Sequence, residues 1–193
     1  VRFLLLCLLL AACAQKAPHP RQVLTREGLN TSDDPLLLAE LADLETAATL
    51  APSSRNGAVR TWASGDRVSL SLRHGVLVAS RGLGHDLMSA DVGNTLDMLD
   101  GQTSGYYERF HTYLDGEYQT LYRTFRCKRS GARAERIVIF DRPQDTTRIE
   151  EHCVSPGLKL TNIYWRGPDG FLWKTRQWVS PGAGYLTTER LIR

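Results

Sequence analysis

From about residue 58 onward, apolar and polar positions alternate with a period of two, in short runs punctuated by Gly, Pro and Asp. "DRVSLSLRHGVLVAS" predicts two strands around His74-Gly75. "YYERFHTYLDGEYQTLYRTFRCK" predicts two more, joined at Asp115-Gly116, a dipeptide suited to the positive φ angles of a tight hairpin. "ERIVIFD" predicts a further strand. "LKLTNIYWRGPDGFLWKTRQW" predicts a second hairpin turning at Gly167-Pro168-Asp169-Gly170, and "AGYLTTERLI" the last strand. A short helix is expected around Asp91 to Leu99. Ahead of the strands, "NTSDDPLLLAELADLETAATL" predicts a longer helix. Ser32, Asp33 and Asp34 offer N-caps, Pro35 fits the first turn, and Leu37, Leu41, Leu44 and Ala48 share one face. The expected fold is mainly β: an antiparallel meander sheet curled into a sandwich or partial barrel, with an N-terminal helix packed on it.

The front of the chain breaks this pattern. "LLLCLLLAACAQ", residues 4–15, is almost wholly aliphatic, yet too short to span a bilayer core of ~30 Å. It has the size of a signal-peptide core. Leu10-Ala11-Ala12-Cys13 resembles the bacterial lipobox, in which the cysteine thiol is diacylated, the chain is cut before it and the new amine is acylated. The expected division is a signal peptide over 1–12, a lipidated Cys13 with a flexible tether over 13–30, and a single domain over 31–193. Acyl chains bury methylenes at ~0.8 kcal/mol each, so such an anchor needs no transmembrane helix. Ala14, not Asp, follows the cysteine, which favours the outer membrane, facing the periplasm.

Composition narrows the classes. Charged residues make up 23% and hydrophobic residues 42%, ordinary for a globular domain. A net charge of +3 without a long Lys/Arg run excludes a nucleic-acid-binding balance. Of four cysteines, Cys7 leaves with the signal and Cys13 is lipidated. Cys127 and Cys153 remain in an oxidising compartment and are expected to form a disulfide, the alternative being two separate buried thiols. No metal site and no cofactor are expected: the cysteines lack a histidine at ligand spacing.

Catalytic patterns are absent from the sequence. No H-E-x-x-H or G-x-S-x-G occurs, no histidines pair at i,i+4, and Glu150 and Glu151 point to opposite faces of a strand. No catalytic residue is assigned. "SRGLGHDL" places Gly82 and Gly84 just after a strand, with Asp86 following; the glycines suit a sharp turn or a close backbone approach. In the last third, Trp165, Trp173 and Trp178 stand with Lys174, Arg176 and Gln177. Indoles stack on sugar rings and arginine forks clamp carboxylates, so these six residues are the candidate contact for a polysaccharide or a protein partner. The competing role for the tryptophans is core. "RTFRCKRSGARAER" carries Arg123, Arg126, Lys128, Arg129, Arg133 and Arg136, either an attraction for an anionic polymer or headgroup, or a solvated hairpin tip.

"GVLVASRGLGHDL", "EEHCVSPGLKLTNIYW" and "GFLWKTRQWVSPGAGYLTTERL", in this order behind a lipobox, resemble the YjbF family of lipoproteins linked to group 4 capsule and exopolysaccharide production. The matching positions include Gly82, Gly84, Asp86, Cys153, Asn162, Trp165, Trp173, Arg176, Gln177 and Trp178. The resemblance covers roughly residues 31–193. It implies an all-β periplasmic domain on a lipid anchor and no established catalytic residues. The expected function is a non-enzymatic accessory factor in exopolysaccharide or capsule assembly or export. Its partners would be the membrane, through the anchor, and an anionic polysaccharide or a polysaccharide-export protein. Two alternatives are a lipid or lipoprotein carrier, which would need an apolar cavity, and a polysaccharide-modifying hydrolase, which would need converging carboxylates or a histidine dyad.

Overall fold

The computed structural model describes residues 18–114 and 119–193. The signal segment, Cys13 and the Asp115-Gly116 turn lie outside the described residues. Two helical turns, α1 (Pro20–Val23) and α2 (Arg26–Leu29), come first. Five strands follow: β1 (Leu36–Leu41), β2 (Thr46–Asn56), β3 (Val59–Ala63), β4 (Ser69–Arg73) and β5 (Val76–Arg81). Then come β6 (Ser89–Ala90), the helix α3 (Gly93–Leu99), β7 (Tyr107–Leu114), β8 (Thr120–Ile139) and β9 (Arg142–Ser155). The chain ends in β10 (Leu158–Arg166), β11 (Leu172–Ser180) and β12 (Gly184–Ile192).

All pairings in the sheet are antiparallel, in the order β5-β4-β3-β2-β1-β12-β11-β10-β9-β8-β7-β6. Every neighbour in the sheet is a neighbour in the chain, except that β1 joins β12. The two ends of this order, β5 and β6, meet: the Ser80 amide donates to the Leu87 carbonyl at 2.9 Å. The sheet is therefore nearly closed into a barrel, which leaves little edge open to another chain.

Residues 30–50 correct the sequence-based expectation. They do not form a helix but a hairpin, β1 and β2, around a single 3-10 turn over Ala42–Leu44, with Glu45 at φ 47°. The reason is that β1 is buried on both faces. Leu37, Ala39 and Leu41 point into the barrel, while Leu38 lies under Leu29 of α2. With both faces covered, a strand loses its alternation and reads as a continuous apolar run. The helices packed on the sheet are instead α1 and α2, in the segment read as a tether. From Pro20 to Leu29 that segment is docked: Arg21 pairs with Glu40 and Glu189, and Leu29 is buried. "ERIVIFD" is the end of the 20-residue β8 rather than a separate strand, so the basic stretch 123–136 lies along a strand and not at a hairpin tip.

Among the described residues, buried apolar side chains form three groups. One lies mainly on β1–β5 and includes Leu37, Leu50, Trp62, Leu70 and Leu77. A second lies mainly on β7–β10 with α3 and includes Met98, Phe125, Ile149, Leu160 and the Cys127–Cys153 disulfide. The third, outside the barrel, seats α2 on β1, β8 and β12 through Leu29, Leu38, Ile139 and Leu191.

Candidate functional site

The residues singled out in the last third do not share one open face. On β11, Thr175 and Gln177 are fully buried. Gln177 ties β11 to β5: its Oε1 accepts from the Leu77 amide at 2.9 Å, and its Nε2 donates to the Gly75 carbonyl at 3.0 Å. Trp165 is only 8% exposed, and its indole N–H donates to Glu135 at 2.8 Å. Lys174, its cross-strand partner, lies 5.4 Å from the ring centroid and pairs with Glu189 at 2.8 Å. Trp173 packs on the outer apolar group, edge-on to Phe171. Trp178 meets Tyr185 edge-to-face, and the Arg176 guanidinium stacks 3.5 Å over the Tyr185 ring centroid. The structure thus joins Trp165 with Lys174, and Arg176 with the Trp178–Tyr185 pair, and leaves Gln177 inside.

The Gly82–Asp86 segment closes the barrel. Asp86 accepts from the Ser80 hydroxyl at 2.7 Å, the Gly82 amide at 2.9 Å and the Leu83 amide at 3.2 Å. Gly82 has φ +86°, and a Cβ there would stand 2.9 Å from the Arg67 carbonyl oxygen. Only glycine meets both demands without strain.

Inside the second core lies a polar cluster. Glu151, fully buried, accepts from Thr95 (2.7 Å), Tyr107 (2.6 Å), Asn162 (2.6 Å), Tyr164 (3.0 Å) and Arg109 (3.0 Å). Burial alone would raise its pKa; the Arg109 charge and the hydrogen bonds from Asn162, Tyr107 and Thr95 outweigh it and hold the carboxyl below its usual value. Burial, together with the adjacent carboxylate, pushes the Tyr107 and Tyr164 hydroxyls up, so both remain donors. Cys127, Glu151 and Cys153 form the one group among the described residues with metal-ligand atoms this close together. The two sulfurs are spent in the disulfide and both carboxylate oxygens are committed, so these residues do not fit a cation. Glu150, on the other face, pairs with Arg148.

The open site is the mouth of the barrel. Along β12, Leu186, Thr188 and Arg190 alternate inward, and Arg190 emerges where the barrel opens. There it borders a cavity of about 330 Å³, walled by the β2–β3 hairpin, the β4–β5 turn at His74-Gly75, the β10–β11 turn and the end of β12. The lining is cationic and aromatic: Arg55, Arg60, Arg190 and Arg193 with Trp62 and Phe171. The Arg190 guanidinium sits 4.3 Å from the Trp62 ring centroid and 5.2 Å from that of Phe171. Its Nε is buried without a hydrogen-bond partner among the described residues. Burial, then the charges of Arg60 and Arg193, lower its pKa to about 10. Among the described residues, Asp169 is the only acid in the lining, and it is engaged by Arg193. A neighbouring groove of about 390 Å³ shares His74, Asp169, Gly170 and Leu172 with this cavity and continues past Arg73, Asp97, Asp100 and Arg166, the last two paired with each other. The residues 55–60, 190 and 193 were not singled out from the sequence. The inward alternation of Leu186, Thr188 and Arg190 was the available signal.

The apolar void between Ala39, Leu50, Leu70, Leu83 and Leu186 is about 40 Å³. That is room for a few waters at most, not for an acyl chain. No described helix is long and apolar enough to cross a membrane.

The family described as group 4 capsule polysaccharide lipoprotein gfcB, YjbF, matches residues 9–191. The fold is similar to the crystal structure of the hypothetical lipoprotein YmcC from Escherichia coli (K12), with a TM-score of 0.74 at 14% identity, over 88% of this chain and 89% of that one. No curated protein matches the chain. The chain belongs to the YjbF family of group 4 capsule polysaccharide lipoproteins, and is an accessory factor of capsule or exopolysaccharide assembly at the outer membrane, facing the periplasm.

Proposed function

We propose that this lipoprotein, anchored through Cys13, handles the secreted polymer itself, and that the polymer is anionic and enters at the barrel mouth. The observation that carries this reading is the cluster of arginines at one opening, set against aromatic rings, with Asp169 as its only acid among the described residues. Guanidinium forks recognise carboxylates and phosphates bidentately, and aromatic faces take up the apolar side of sugar rings. The outer residues Trp165 and Lys174 already have partners in Glu135 and Glu189, which favours the mouth over that face.

The test is calorimetric titration of the full-length lipoprotein in detergent with the exopolysaccharide of the same organism, at low salt and at about 0.5 M salt, where the Debye length falls below ~5 Å. Saturable binding that persists at high salt supports direct handling. Binding that disappears with salt reduces the contact to non-specific attraction, and no binding at either salt directs the search to a protein of the export machinery.

A further inference from the structure

We infer that the barrel mouth is a site for one carboxylate-bearing sugar unit, with the carboxylate held by Arg60 and Arg190. The inference rests on the polymer-handling reading and names the part of the polymer recognised. Both guanidiniums lie against the same indole, at 5.7 and 4.3 Å from the Trp62 ring centroid. Neither has a carboxylate partner among the described residues, whereas the neighbouring Arg193 is neutralised by Asp169. A buried N–H donor without an acceptor is costly, and a buried guanidinium crowded by other cations more so. The Nε of Arg190 is such a donor, and the residue lines the cavity. An anion in the cavity supplies the opposite charge that both guanidiniums lack.

The shape narrows the anion. A volume of about 330 Å³ sits at the small end of the range for small-molecule sites, roughly 300–1,000 Å³. The cavity is not purely polar: Phe171, half-buried at its rim, and Leu172 offer apolar surface beside the arginines. An inorganic oxyanion would use the charge and leave that surface wet. A pyranose carrying a carboxylate uses both, its charge on the two guanidiniums and its C–H face on Phe171.

The experiment uses the full-length lipoprotein in detergent with three probes: trigalacturonate, its methyl ester and inorganic phosphate. Trigalacturonate is expected to bind saturably, and the ester at least about tenfold more weakly, the equivalent of losing one charge-assisted hydrogen-bond pair. Arg60→Gln, at a half-exposed position that does not endanger folding, is expected to weaken trigalacturonate by about tenfold, as is Arg190→Gln. Arg129→Gln, an exposed change on β8, is expected to leave binding unchanged. Equal affinity for acid and ester, or an unaffected Arg60→Gln, overturns the inference. So does phosphate binding more tightly than trigalacturonate with the same dependence on Arg60, which makes the mouth an inorganic-oxyanion site. The two readings separate cleanly. Native polymer that binds wild type and Arg60→Gln alike refutes this site while direct polymer handling stands. Trigalacturonate that binds through Arg60 when the native polymer does not bind upholds the site and refutes the handling of that polymer.

Discussion

Arg26 clamps a turn that lies more than a hundred residues away: its Nη2 donates to the Ile139 carbonyl and its Nε to the Phe140 carbonyl, both at 2.7 Å. Phe140 and Asp141 have φ angles of 45° and 63°, a two-residue turn of the type that favours Asn and Gly. Neither residue is glycine, so the turn is intrinsically strained, and the guanidinium holds it from outside. Arg26→Ala is expected to destabilise the protein by about 2 kcal/mol, the scale of hydrogen bonds to a charged group at a part-buried site. Urea unfolding measures it. An unchanged midpoint would show that α2 merely rests on the hairpin.

The same contact explains part of what the sequence concealed. The hairpins at His74-Gly75 and Gly167–Gly170 were legible because glycine-bearing turns separate runs of apolar and polar residues there. Leu36–Leu41 has no wet face: α2 covers Leu38 while the barrel interior takes Leu37, and four leucines in six residues then satisfy a helical period as well as a strand. The arginine mouth was hidden for a different reason. Arg60 and Arg190 come from strands 130 positions apart, and only the closure of β1 against β12 brings them to one opening. The tryptophans were conspicuous in the sequence because they are neighbours there, and alternation then sends their neighbours to opposite sides of the sheet.

The buried cluster around Glu151 predicts an unequal response to mutation. Arg109→Met leaves the carboxylate buried without its counter-charge and is expected to cost about 3–5 kcal/mol. In an ordinary ion pair, removing both partners restores much of the loss. Here Thr95, Tyr107, Asn162 and Tyr164 also donate to Glu151, so the double change Arg109→Met, Glu151→Leu leaves four buried donors without their acceptor. The double variant is expected to stay at least ~2 kcal/mol below wild type. Recovery to wild-type stability in chemical denaturation would show that the neutral donors find other partners.

His111 gives the fold an acid-sensitive element. Burial, then the Arg109 charge, hold its pKa well below 6.5; Tyr113 Oη lies 2.7 Å from its Nδ1, the Phe125 ring is edge-on, and its Nε2 has no partner among the described residues. Below pH 6.5 the unfolded chain takes up a proton that the folded chain refuses, so stability falls as the pH falls. The slope for this one proton approaches about 1.4 kcal/mol per pH unit. Glu151, with its folded pKa depressed, contributes stability above about pH 4.5 that is lost below it, so the decline continues into acid. His111→Gln is expected to flatten stability between about pH 6.5 and 5 and to leave the more acid limb in place. Unfolding free energies at three pH values decide it; an unaltered slope would assign the effect to another group.

The disulfide between Cys127 and Cys153 joins directly opposed residues of β8 and β9 and closes a separation of 26 residues. In the chain-entropy account a loop of that length stabilises by roughly 3 kcal/mol. The Cys127→Ala, Cys153→Ala variant is expected to lose about that much while keeping the β-sheet signature in circular dichroism. A loss of β structure instead would mean that the crosslink is needed for the barrel to form.

Between β5 and the start of β6, the backbone bond from Ser80 to Leu87 is supported by side chains rather than by a long ladder. Asp86 fixes the Ser80 hydroxyl and two loop amides, the Ser80 hydroxyl accepts from the Leu87 amide at 3.0 Å, and Arg81 donates to the Leu87 and Met88 carbonyls. β6 contributes only two residues, so the remainder of the closure depends on Asp86. Asp86→Ala is therefore expected to open this seam locally. The Ser80 and Leu87 amides should exchange at least about tenfold faster with solvent, while amides in the middle of β9 and β10 keep their protection. Gly82→Ala attacks the same place through the backbone, forcing a side chain into φ +86° and against the Arg67 carbonyl, at a cost of about 1–3 kcal/mol. If Asp86→Ala slows none of this closure, and Ser80 and Leu87 stay as protected as in wild type, then packing of Leu87 in the core holds the barrel shut without the aspartate. If protection is lost everywhere at once, the seam and the rest of the barrel unfold as one unit, and the clasp is a condition of the whole fold.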